Sequence, residues 1–363
     1  MSIALLPPST DPAASSLRIQ SSPDARVSRR IAMKLMGCIS VLFAGVAPAV
    51  VVAAAIQPAI VYDAGGKFDK SFNEAAFNGM QQFKASSGVN FTEFEIAQEA
   101  QREQMLRRLA KRGADPIVAV GFASASAVQK VAAEFPKTRF TLIDAESKLP
   151  NVQSILFREQ EGSFLVGMLG ALASKSGKLG FIGGMDIPLI RAFSCGYAQG
   201  ARYGNPKISI IENMAGSTNS AWNDPTRGAE LAKGQFDRGV DVVFAAAGGT
   251  GLGVYRAAKD AGKLAIGVDS NQNHLQPGTM LTSMVKRVDV AVQRSLSAAQ
   301  NGTWKGGSQV IGLAEDGISW ALDEHNRKLV SPQMKAKLDQ ARADILAGKI
   351  VVHDFRRNSS CTP

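Results

Sequence analysis

The sequence predicts an α/β protein of two doubly wound parallel-sheet lobes with a cleft between them. Three observations lead there. From residue 56 onward, short apolar runs alternate with amphipathic helical patterns, as parallel strands covered on both faces require. The alternation falls into two series of similar length. Further strand and helix patterns follow the second series, as in a chain that returns to its first lobe.

Residues 1–55 are read as a cleaved export leader outside the fold. Residues 1–27 are rich in Ser, Pro and Ala and show no period. Arg29, Arg30 and Lys34 then precede an apolar run that ends in Val52-Ala53-Ala54-Ala55, small residues suited to a signal peptidase. Gly37, Gly45 and Pro48 interrupt that run, which argues against a membrane anchor. The stretch from Ser28 to Lys34 has the form of a twin-arginine motif, with Ala32 where a bulky residue is usual. A true start at Met33 with export by the general route is the alternative, and both stay open. Leu35-Met36-Gly37-Cys38 has the form of a lipoprotein box, but it opens the apolar core instead of following it. A soluble periplasmic protein is expected.

The first series has strand-like runs at 59–62, 91–95, 116–120, 139–143 and 154–157, with helical patterns near 70–87, 99–112, 123–134 and 159–174. The second has strands at 178–182, 207–211, 241–244 and 264–268, with helices near 187–203, 224–238 and 250–262. An apolar stretch at 280–285 leads to a helix near 287–300, short strands around 309–313 and a Pro-started helix near 332–347. The expected division is 56–170 plus about 285–320 for lobe one, and 171–284 plus about 321–363 for lobe two.

The net charge of +10 falls when a basic leader is removed. The remaining basic residues are scattered, without a run or aromatic interleaving, so no nucleic-acid partner is inferred. Cys195 and Cys361 remain beyond the leader. In an oxidising compartment they can form one disulfide pinning the tail, or stay a buried thiol and a free tail. His274, His325 and His353 are far apart and no Cys/His cluster has metal-ligand spacing. No cofactor is expected.

Ligands of open α/β sheets bind at the carboxyl ends of the strands, so the loops there carry the candidate site. After the first strand comes Asp63-Ala64-Gly65-Gly66-Lys67-Phe68-Asp69-Lys70-Ser71-Phe72-Asn73-Glu74. Asp69 or Ser71 is the expected helix cap, with Glu74 completing a capping box. That leaves Phe72 and Asn73 unexplained, and an aromatic beside a free amide suits a flat polar ligand. Asp144 ends a later strand of lobe one, and Gly121-Phe122-Ala123-Ser124 follows another. In lobe two, Trp222 stands in a polar loop before Pro225. On a closing cleft it could clamp a ring against Phe72, each face adding on the order of 1 kcal/mol. Asn73 and Asp144 could then read the ring's polar edge. Residues 248–253 (GGTGLG) do not fit a dinucleotide fingerprint and read better as a tight turn. Asp269 is placed to grip a diol, strengthened by Gly249 and Lys286. No nucleophile-and-base arrangement is apparent, so enzyme readings are weak.

The Asp63-x-Gly65 and Asp69-Lys70-Ser71-Phe72-Asn73 pattern resembles the opening motif of the basic membrane protein family. The resemblance continues through Gly180-Phe181-Ile182-Gly183-Gly184-Met185, Phe193-x-Cys195-Gly196-Tyr197-x-x-Gly200, Ala247-Gly248-Gly249-Thr250-Gly251, Gly267-Val268-Asp269, Ser283-x-x-Lys286 and Ile345-x-x-Gly348-Lys349-Ile350. It covers nearly all of residues 56–352. It implies the type I periplasmic-binding fold and the substrate-binding protein of an ABC importer, with a permease as partner and a purine nucleoside as ligand. It further implies that Phe72 and Trp222 stack on the base, that Asn73 and Asp144 bond its edge, that Gly249, Asp269 and Lys286 hold the ribose, and that Asp63 shapes the pocket. A relative binding another flat ligand such as riboflavin, or acting as a sensor, is the alternative, and an exported nucleoside-cleaving enzyme ranks below both. The family's lipoprotein cysteine is missing after the apolar leader.

Overall fold

The computed structural model describes residues 55–361, so the expected leader, apart from Ala55, lies outside the described residues. The chain first lays down β1 (Ala59–Val61), α1 (Phe72–Ser87), β2 (Thr92–Phe94), α2 (Gln101–Lys111), β3 (Ile117–Ala119), α3 (Ala125–Glu134), β4 (Phe140–Ile143) and β5 (Val152–Phe157). It continues with α4 (Glu159–Ala173), β6 (Lys178–Met185), α5 (Pro188–Gly204), β7 (Ser209–Gly216), α6 (Pro225–Asp237), β8 (Val242–Ala246), α7 (Gly251–Asp260), β9 (Leu264–Asp269) and β10 (Met280–Lys286). Last come α8 (Val288–Gln300), β11 (Gly307–Ile311), β12 (Ile318–Trp320) and α9 (Pro332–Leu346).

These strands form two six-stranded sheets, ordered β2-β1-β3-β4-β5-β11 and β7-β6-β8-β9-β10-β12. Every pairing is parallel except that of β12 with β10. The central strands β1, β3, β4 and β8 are buried along their whole length, as near-continuous apolar runs between helical layers must be. The antiparallel edge strand β12 is three residues long, too short to show a period in the sequence.

The chain passes between the sheets at Arg158, at Arg287 and through 312–317. The first passage therefore comes earlier than the boundary expected near 170. Helix α4 packs on α5 and on β6, β8, β10 and β12 of the second sheet. It is apolar nearly all round and almost wholly buried, so it cannot serve as one face of lobe one. Strand β12 likewise joins the second sheet instead of the first.

The start of α1 is capped differently from a Ser-led box. The Asp69 carboxylate accepts from the backbone N–H groups of Ser71 (2.8 Å), Asn73 (3.0 Å) and Glu74 (3.2 Å). Glu74 instead pairs with Lys70 at 3.1 Å, and the Ser71 hydroxyl is left for another partner. Among the described residues no helix is long and apolar enough to cross a membrane.

Candidate functional site

The carboxyl ends of both sheets meet around a cavity of about 60 Å³ that is partly open to solvent. Seven of the eight residues expected to form the site line it: Asp63, Phe72, Asn73, Asp144, Trp222, Asp269 and Lys286. Gly249 is not among the lining residues. Its neighbour Gly248, at φ 56°, takes that place. The turn Gly248–Thr250 directs Gly249 toward Asn223 and the Trp222 carbonyl instead.

Asp63 follows β1, and its Oδ1 accepts from Arg102 Nη2 (2.8 Å) and from the Ala64 N–H (2.9 Å). Arg102 reaches it from α2 almost fully buried, and also donates to Glu99 and Ser124. The other face of the carboxylate packs on Gly121. A Cβ there would sit 1.8 Å from Asp63 Oδ2, and φ is 88°, so only glycine fits. Burial raises the Asp63 pKa above the ordinary value, against the pull of Arg102.

Asn73 does not present a free amide. Its Oδ1 accepts from the Asp63 N–H at 2.8 Å, and its Nδ2 faces the Asp63 and Ala64 carbonyls at 3.3 and 3.4 Å. An amide that closes this loop on itself is engaged at its acceptor and its donor, so it is not the free amide that the sequence suggested. Phe72 and Trp222 line the cavity from different lobes. The Trp222 indole lies over Gly184, where a Cβ would come within 2.1 Å of the ring. Its aromatic neighbour is Phe122, edge-on at 6.3 Å. Thr250 fastens the Trp222 loop: its hydroxyl donates to the Ala221 carbonyl (2.8 Å) and accepts from the Asp224 N–H (2.7 Å).

The polar end of the cavity is a charge cluster. Lys286 Nζ lies 2.6 Å from Asp144 Oδ2 and 3.1 Å from Glu159 Oε1, with the Phe157, Phe72 and Phe193 rings at 4.8, 5.1 and 5.7 Å. Burial works against the lysine's charge, but Asp144, Glu159 and Asp269 outweigh it and raise its pKa. Burial also pushes Asp144 up to about 7, against the attraction of Lys286. Asp144 Oδ1 is buried without a hydrogen-bond partner among the described residues. Asp269 ends β9, raised by burial, and its Oδ2 accepts from the Ser71 hydroxyl across the cleft. Asp144 and Asp269 share a left-handed backbone, φ 68° and 63°, which turns each side chain back over its strand end.

Ser71 thus holds the N-cap position of α1 while its hydroxyl serves the cleft instead of capping. Beside it, Ser270 Oγ donates to the Ser71 carbonyl (3.0 Å) and Gln272 Nε2 to the Lys70 carbonyl (2.8 Å). These bonds join the loops of the two lobes. Phe122, Leu189, Ile190 and Phe193 also line the cavity. Sequence reading did not single out Leu189, Ile190 and Phe193 as lining residues, because on α5 a helical period serves a core face and a cleft face equally. Only the position of Phe122 after β3 carried a signal. Cys195 and Cys361 are joined, Cα–Cα 5.0 Å.

The family model Bmp, described as ABC transporter substrate-binding protein PnrA-like, matches residues 56–354. The chain belongs to the Bmp family. It is 33% identical over 319 residues to a CD4+ T-cell-stimulating antigen of Listeria monocytogenes, covering 81% of this chain and 87% of that protein. It is 30% identical over 320 residues to the ABC transporter nucleoside-binding protein BmpA of Lactococcus lactis, covering 82% and 89%. An ABC transporter solute-binding protein of Aeropyrum pernix superposes with a TM-score of 0.76 at 28% identity, covering 83% of this chain and 94% of that one. This Bmp protein is accordingly a substrate-binding protein of an ABC transporter, not an enzyme, with the two-lobed periplasmic-binding fold. Such proteins take a small ligand outside the cytoplasmic membrane and work with a permease.

Proposed function

We infer that this Bmp protein binds a purine nucleoside between its lobes, with 6-oxopurines preferred, and delivers it to an ABC permease. The observation that carries the reading is the unpartnered Oδ1 of Asp144 in the cavity wall. An ionised carboxylate only accepts hydrogen bonds, and its other oxygen is held by Lys286. It therefore suits a ring N–H, which inosine and guanosine carry at N1 and adenosine does not. Phe72 and Trp222 supply apolar faces for the base. Asp269 and Lys286 are the groups for ribose hydroxyls, with Gly248 standing where Gly249 was expected. Asn73 serves by fixing the Asp63–Ala64 backbone. The nucleoside-binding relative in Lactococcus lactis supports the ligand class.

The test is a thermal-shift panel on protein stripped of ligand by unfolding and refolding, with nucleosides, bare nucleobases, sugars, riboflavin and amino acids. A ligand at 100 times its Kd adds about 2.7 kcal/mol. A shift with inosine or guanosine that disappears in Phe72→Ala is expected. A shift with another class and none with any nucleoside overturns the ligand. Asp144→Asn should lose the discrimination between inosine and adenosine.

A further inference from the structure

The C-terminal segment after α9 reaches the ligand site through one side chain. Residues 353–361 lie against α5, held by the Cys195–Cys361 disulfide and by paired bonds of His353 with Gln199, both 2.9 Å. From this segment Arg356 extends inward. Its Nη1 stands 3.0 Å from Glu159 Oε2, and its Nη2 donates to the Phe157 carbonyl at 3.0 Å. Asp354 flanks it on the outer side at 2.9 Å. Glu159 is fully buried, and its other oxygen faces Lys286. The result is a line of alternating charge from the surface to the cavity: Asp354, Arg356, Glu159, Lys286, Asp144.

We propose that Arg356 is a positioning residue of the ligand site, fixing Lys286 against Asp144 by occupying the far oxygen of Glu159. Lys286 has two buried carboxylates within ion-pair distance. With Arg356 in place, Glu159 has a second cation and Lys286 stays on Asp144 at the shorter distance. Without Arg356, Lys286 is the one remaining cation facing Glu159 among the described residues, and a buried carboxylate draws its partner strongly. Lys286 then moves off Asp144, and both groups are misplaced for a ligand. The tail of this chain is in that sense part of its binding site, although it touches no ligand.

The experiment has two arms, because the ligand arm rests on the nucleoside reading and the other does not. In the first, isotope-labelled lysine reports the side-chain resonance of Lys286, assigned from Lys286→Met. Arg356→Gln should shift it, and Arg356→Gln with Glu159→Gln should return it toward its original position. In the second, inosine is titrated into the same proteins. Arg356→Gln should weaken binding about tenfold and the double variant should restore it to within about threefold, the pattern of an interacting pair. An unmoved Lys286 resonance overturns the proposal whatever inosine does. A moved resonance with unchanged inosine affinity overturns the link to the ligand site. Inosine failing to bind the unaltered protein counts against the nucleoside reading alone, and the lysine resonance then judges Arg356. The double variant keeps Lys286 paired with Asp144 and removes the charge of Glu159, and Asp354, which loses its cation, lies at the outer, half-buried end of the line, so it decides the matter even if Arg356→Gln does not fold. Loss of binding and of the Lys286 position in the double variant means that the tail acts by packing, and the proposal falls.

Discussion

The pH dependence of ligand choice follows directly from the Asp144 environment. Burial places its pKa near 7 with Lys286, Glu159 and Asp269 around it, so both protonation states are populated at neutral pH. The ionised form accepts from the N1–H of inosine, whereas the neutral form can donate to N1 of adenosine. Inosine affinity should therefore rise as pH increases through about 7 and level off above it. Adenosine affinity should fall across the same window. In the two-state limit the ratio of the two dissociation constants changes tenfold per pH unit, about 100-fold between pH 6 and 8, or about 2.7 kcal/mol. A carboxyl raised from 3.8 to about 7 contributes stability that is full below its unfolded value and lost as pH rises through the folded one. A ligand donating to the carboxylate offsets that loss. Asp69, also pushed up to about 7 by burial, affects both ligands alike and cancels in the ratio. Calorimetric titration of both nucleosides at half-unit steps gives the measurement. A ratio that stays flat from pH 6 to 8 refutes the assignment of Asp144 to the base edge.

Gly184→Ala places a methyl group within the Trp222 ring, 2.1 Å from Cζ3. The indole must swing away, and ligand affinity should fall about tenfold with the loss of one stacking face and its buried area, read by titration. Arg102→Ala leaves Asp63 buried without its cation and should destabilise the protein by about 3–5 kcal/mol in urea unfolding. An unchanged midpoint there would show that Asp63 does not depend on its pair. Cys361→Ser opens a covalent link across 166 residues of sequence and should cost about 2–5 kcal/mol, with the same loss on reducing the unaltered protein.

Both sheets were legible because parallel strands buried on two faces leave apolar runs that alternate with amphipathic helices. The site was legible to the extent that chemistry sits at strand ends: Asp63, Asp144, Asp269 and Lys286 each follow or close a strand. The limits have physical causes. Helix α4 follows a strand of the first sheet and covers the second, and hydrophobicity does not record which sheet is covered. Ser71 and Asp69 are both good cap residues, and only geometry shows that Asp69 caps while Ser71 bonds Asp269. Asn73 looked like a ligand group because its residue type is the same whether its amide faces a ligand or its own loop. Arg356 lies far in sequence from every strand end of the site, and nothing local marks it.

The three passages between the sheets run side by side. The Arg158 N–H donates to the Ile311 carbonyl (3.0 Å), the Arg287 N–H to Gly317 (2.8 Å) and the Leu313 N–H to the Glu161 carboxylate (2.9 Å). Three cross-bonded straps link the lobes among the described residues, so a hinge rotation about them is the expected lobe motion. On such a rotation the bonds of Ser71 with Asp269, Gln272 with Lys70 and Lys286 with Asp144 would open together as the angle between the lobes grows. Two fluorophores placed anywhere on opposite lobes would follow the same coordinate. A membrane partner touching both lobes would need to sense only that angle to distinguish a loaded protein from an empty one.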